Sequence, residues 1–160
     1  MKIDIPYIAK RVGWGTGFTF FYFLVIRPLR ALYSEQFVWE FLLSSQQSIG
    51  NITSAFHSPR HVLITYMSNG NEIVLSHIPQ LGFFFLCGMI GLIFFKGGRN
   101  TYISLVMFQV IVELLVFLLF WLGIHYTVAG FIISDFLMTY LSPLGCLGFV
   151  VFVSMRRSSG

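Results

Sequence analysis

Charge is missing from most of this chain, and that absence constrains its fold more than any motif does. Ten Lys/Arg and six Asp/Glu occur in 160 residues, and three stretches hold almost none of them: Ile78–Phe95, Thr101–Ile124 and Phe131–Val153. A helix needs about 20 apolar residues to cross a ~30 Å hydrocarbon core. Backbone in that core must satisfy its own hydrogen bonds, which favours helices over open strands. A weaker apolar stretch, Val12–Ile26, lies near the start and extends past Pro28 to about Tyr33, carrying Arg27 and Arg30 into the far half of the bilayer. The pattern predicts an all-α integral membrane protein with a single membrane domain over residues 1–160. Its four-helix bundle has spans at about 12–33, 78–95, 101–124 and 131–153, with an external cap at 34–77.

Composition supports the same class. Charged residues make up 10% of the chain, against about 25% in an ordinary soluble domain. Nineteen Phe are too many for a soluble core of this length to hide. The net charge of +4 is no nucleic-acid signal, because the basic residues sit mainly at helix ends, where topology requires them. Cys87 and Cys146 fall inside predicted spans and read as small hydrophobes, so no disulfide is expected. Lys10-Arg11 precedes an apolar run, but Arg27 and Arg30 follow it without a small-x-small site, so no cleavable signal peptide is expected.

Orientation follows from Lys/Arg asymmetry. Lys10-Arg11 lie before the first span, Lys96 and Arg99 flank the Gly97-Gly98 turn, and Arg156-Arg157 follow the fourth span. His125–Gly130 carries no Lys or Arg. Both termini and the Gly97-Gly98 turn are therefore expected inside, with residues 34–77 and 125–130 outside.

The outer segment has its own pattern. Gln36, Glu40, Ser44 and Gln47 form a polar stripe opposite Phe37, Val38, Phe41 and Leu42, which reads as an interfacial amphipathic helix. After a loop through Ser58-Pro59, two β-rich runs flank Asn69-Gly70, a strong signal for a small β-hairpin. A two-residue turn there gathers Val62, Ile64, Tyr66, Ile73 and Leu75 on one apolar face. A lone two-stranded ribbon is marginal in water, so that face needs a cover, for which a partner protein is one candidate. Gly13 and Gly17 form a GxxxG pair that would admit a second helix against the first span. Gly88 with Gly91, and Gly145 with Gly148, suggest further notched faces. Trp14, Tyr33, Trp39, Trp121 and Tyr126 read as interfacial anchors.

Five polar groups fall in the outer half of the predicted bundle: Arg27, Arg30, Glu113, His125 and Asp135. An unpaired ionisable group at mid-membrane costs a few kcal/mol, so such groups suggest a site. Arg27 or Arg30 paired with Glu113 reads equally well as an interhelical clamp. HExxH, GxSxG, Walker and CxxC motifs are all lacking, and His125 lies too many turns from Glu113 to share an ion with it. Neither catalytic residues, metal ligands nor a cofactor are assigned.

A first span, an external amphipathic helix, an external hairpin and three further spans form an order that resembles the small membrane proteins accompanying exosortases in bacterial protein sorting. The resemblance implies an accessory role in the bacterial inner membrane and carries no residue roles. The leading expectation is a non-enzymatic integral membrane subunit. It would bind other membrane subunits, or further copies of itself, through the cap and the Gly-notched helices, with membrane lipids as neighbours. The alternative is a lipid- or quinone-handling site in the outer leaflet, an enzyme in one version, built on Arg27, Arg30, Glu113, His125 and Asp135. The arginines would grip an anionic headgroup, and Glu113, Asp135 or His125 would move protons.

Overall fold

The computed structural model describes residues 5–33, 52–58, 61–68, 71–78, 80–126 and 128–158. Helix α1 (Ile5–Phe21) runs through a π-helical turn at Tyr22–Ile26 into α2 (Arg27–Leu32). Three strands follow: β1 (Ile52–Ser58), β2 (His61–Ser68) and β3 (Asn71–His77). Helices α3 (Phe83–Phe94), α4 (Arg99–His125) and α5 (Val128–Phe136) come next, and a second π-helical turn at Leu137–Leu141 leads into α6 (Ser142–Ser158). The amphipathic stretch expected within 34–51 and the Asn69-Gly70 turn lie outside the described residues, as do the side chains of Val62, Ile64, Tyr66, Ile73 and Leu75.

Among the described residues, two helices are long and apolar enough to cross a membrane: Arg99–Gly123 and the continuous helical stretch Ala129–Arg156. Only 28% and 17% of their apolar windows are buried inside the protein. The core helix of a soluble protein would be mostly enclosed, so these surfaces are apolar on the outside.

Both π-helical turns have the same cause. Pro28 and Pro143 lack a backbone N–H, and their rings crowd the carbonyl four residues earlier. Those residues, Leu24 and Thr139, lie inside the two π-helical turns. Widening the helix there relieves the crowding without breaking it. The distortion that Pro143 imposes is thus spread over the turn before it.

The third helix is shorter than the 78–95 stretch suggested. It starts only at Phe83, after Gly82, while Leu81 adopts a positive φ of 61°. At its far end the Gly97 amide donates to Leu92 O (2.7 Å) and the Lys96 amide to Ile93 O (3.4 Å). With Lys96 at φ 50°, this is a Schellman closure, and Gly98 then caps α4 directly. Arg11 Nη1 reaches across from α1 to donate to Ile93 O at 2.7 Å.

Packing runs α1 on α3, α3 on α6, and α4 on α5. The core clusters Tyr22, Phe85, Leu86, Leu92, Leu105, Cys146 and Val153. A second seam joins α4 to α5, where Phe120 and Phe131 meet edge to face at 5.3 Å. Gly130 is the closest point of that seam: a Cβ there would sit 2.7 Å from Gly123 N. Gly88 and Gly91 admit Cys146 and Val150 of α6, whereas a Cβ on Gly13 or Gly17 would have nothing within 4 Å.

The strands pair antiparallel in the order β1-β2-β3. Tyr66 registers with Ile73, Ile64 with Leu75 and Val62 with His77. Residues Ile52–Ser58, for which the sequence suggests no strand, form β1, which pairs Ala55 with Ile64 and His57 with Val62. Strand β3 approaches α5, and the Ile78 amide just beyond it lies 3.3 Å from Met138 Sδ.

Candidate functional site

The lead-in to α3 poses a hydrogen-bond problem. Residues Gln80–Gly82 are not helical, yet they lie against a helix able to cross a membrane. Irregular backbone at that depth is tolerated only where protein satisfies it. Helix α4 does so with two side chains one turn apart. Glu113 Oε2 accepts from the Gln80 amide at 2.8 Å, and Gln109 Oε1 accepts from the Leu81 amide at 3.3 Å.

Gln109 also ties α4 to α6. Its Nε2 donates to Ser142 Oγ at 3.1 Å and to Cys146 Sγ at 3.2 Å. The side chain is only 1% exposed, and Ser142 and Cys146 are buried with it. Both cysteines are free thiols. Glu113 in turn receives a hydrogen bond from the Tyr33 hydroxyl and feels the positive charge of Arg30. A Cβ on Gly82 would lie 3.6 Å from the Arg30 guanidinium, which places that group over the start of α3.

These residues border a cleft of about 410 Å³ between α2, α4 and the α3 lead-in. Its lining combines the polar residues Arg30, Tyr33, Gln80, Gln109 and Glu113 with the apolar Ile26, Leu29, Val110 and Leu114. Apolar walls with a few convergent polar groups are the common form of a small-molecule site, and this volume falls in the usual range.

Of the five polar residues singled out in the sequence, Arg30 and Glu113 meet at this cleft. Arg27 does not line it; it is exposed on α2, with its guanidinium 5.6 Å from the centre of the Phe23 ring. Asp135 is exposed on α5, with Thr139 Oγ1 3.5 Å from its Oδ1 one turn on. His125 ends α4, and its side chain lies outside the described residues. Sequence reasoning missed Gln109, Gln80 and Ser142, and took Tyr33 for an interfacial anchor. The available signal was the four-residue spacing of Gln109 and Glu113, which puts both on one face of a helix.

No protein-family model matches this sequence, and no curated protein or solved structure was found to be similar to it.

Proposed function

We propose that the chain is a four-span integral membrane protein, with both termini inside and residues 34–77 forming an outer cap. In this reading it is a non-enzymatic subunit that holds one amphiphile in the outer leaflet. Helix α1 with α2, α3, α4 and the α5–α6 stretch are the spans. The 12-residue α3 crosses with help from its irregular lead-in. The reading is carried by the cleft, whose lining offers aliphatic residues to a chain and Arg30 and Tyr33 to a headgroup. The guanidinium suits a phosphate or carbonyl acceptor, which fits a phospholipid or an isoprenoid quinone. Glu113 already serves the Gln80 amide, so its part is to hold the lead-in and orient Tyr33.

Lipid and quinone analysis of protein purified in mild detergent tests this reading. The wild type should retain a bound amphiphile that Arg30→Gln loses, while Arg27→Gln, outside the cleft, keeps it. Equal retention by wild type and Arg30→Gln would remove the proposal, and the extract itself separates lipid from quinone.

A second reading is favoured by the open face of α1. Among the described residues nothing lies within 4 Å of a Cβ at Gly13 or Gly17, leaving a helix surface shaped for close approach by another membrane helix. Together with an outer cap that needs cover, this supports the accessory-subunit role that the exosortase-type architecture implies. Gly13→Ile with Gly17→Ile should leave the monomer folded and abolish co-purification of a partner or second copy.

A further inference from the structure

The opposite end of the bundle carries a second cavity, of about 420 Å³, where the Lys96–Arg99 connection meets the end of α6. Three cationic side chains border it, Lys96, Arg99 and Arg156, and among the described residues no acidic side chain does. Asn100 and Thr101 add neutral donors from the first turn of α4. That turn belongs to a 27-residue helix whose free amides and dipole also favour an anion. A Cβ on Gly98, the capping residue, would meet nothing within 4 Å, so the approach to these amides is open.

Two further features bear on the ligand. Lys96 is held in place: its Nζ stands 4.2 Å from the centre of the Tyr7 ring, whose other neighbour is Arg11 at 5.3 Å. An anchored ammonium loses less side-chain freedom on binding than a free surface lysine. The other wall is apolar, made by Phe152 and Val153, and Phe152 is 62% exposed on the outer side of α6. A soluble ion would leave that wall without a use, whereas an acyl chain would run along it.

We propose that this cavity binds the phosphodiester headgroup of an anionic phospholipid in the inner leaflet. Its cations and α4 amides take the phosphate, and Phe152 takes the start of a chain. Basic pockets between helices on the inner side are suited to such headgroups. The proposal rests on the four-span, termini-inside reading, and is separate from the outer cleft.

The test places wild type and an Arg99→Gln/Arg156→Gln double variant in phosphatidylcholine nanodiscs doped with phosphatidylglycerol. Bound lipid is counted by native mass spectrometry after gentle extraction. The wild type should enrich phosphatidylglycerol, and the double variant should lose roughly an order of magnitude of that enrichment. Arg27→Gln should retain it, and circular dichroism checks that each variant is folded. Undiminished enrichment in the folded double variant overturns the site. Displacement of the lipid by inorganic phosphate at comparable concentration overturns the lipid assignment in favour of a soluble phosphate. Labelling of Asn100→Cys with an impermeant maleimide reads the topology independently. Labelling from inside the membrane only supports the proposal, and labelling from outside overturns the topology beneath it.

Discussion

Gln109 and Glu113, one turn apart on α4, accept hydrogen bonds from two successive backbone amides, those of Leu81 and Gln80. A charged residue in an apolar helix is therefore acting here as a receptor for another segment's backbone. Its loss should be felt first in packing, and in ligand binding only through that packing.

Replacing Glu113 separates acceptor from charge. Glu113→Gln keeps a carbonyl oxygen for the Gln80 amide and should cost little. Glu113→Leu leaves that amide without its acceptor, at about 1–3 kcal/mol. Thermal unfolding in detergent, followed by circular dichroism, should rank them in that order. Arg27→Leu should unfold close to wild type, because Arg27 is exposed beside Phe23 and away from Glu113.

Gln109→Leu removes the acceptor for the Leu81 amide and the donor to Ser142 and Cys146 together. A loss of about 2 kcal/mol is expected from the groups left unsatisfied. In a double-mutant cycle Ser142→Ala should cost less when Gln109 is already Leu, since their bond is counted once. Strict additivity would mean that the two side chains do not share a bond.

Gly130→Ala should destabilise the α4–α5 seam by about 1–3 kcal/mol, because its new methyl would press on Gly123 backbone rather than on a movable side chain. Gly148→Ala is the matched control. Its Cβ meets nothing within 4 Å, and the helix gains from replacing glycine. Unfolding curves for the two variants should move in different directions.

Thiol labelling reports on the same core. Cys146 is fully buried and accepts from Gln109, whereas Cys87 is partly exposed. N-ethylmaleimide should modify Cys146 only after denaturation in sodium dodecyl sulfate, with the adduct located by peptide mass spectrometry. Rapid modification of Cys146 in the folded protein would contradict the packing of α6 against α3 and α4.

The helices of the second half were readable because nothing interrupts their apolar runs, and Glu113 stood out because charge is rare there. Gln109 carries no charge, so a rule that looks for charge passes over it, although its geometry matches its neighbour's. Tyr33 has the profile of an interfacial anchor, and only the position of Gln80 and Glu113 beside it reveals its hydroxyl as a donor. The first residues of the 78–95 stretch, Ile78-Pro79-Gln80-Leu81-Gly82, are less apolar than the rest, and Pro79 and Gly82 are local signals of a later helix start. What no local window contains is the pair of partners, 28 and 33 residues later in the chain, that accept from its amides. Close approach was legible in part. Glycine spacing points to Gly88 and Gly91, which admit α6, but also to Gly13 and Gly17, which meet nothing within 4 Å among the described residues. It misses Gly130, whose Cβ would press on Leu119 and Gly123 backbone.

The π-helical turn before Pro143 also sets angular phase. An α-helix advances about 100° per residue, so one extra residue in a widened turn rotates everything after it by about that much. On an unbroken α-helix Ser142 would come back to nearly the same face as Phe131. The step at Leu137–Leu141 offsets Ser142 and Cys146, which face Gln109, from Phe131, which faces Phe120. The same helical stretch thereby presents one side to α4 before the turn and another after it. A proline that would elsewhere only bend a span serves here as a rotary offset between two packing surfaces.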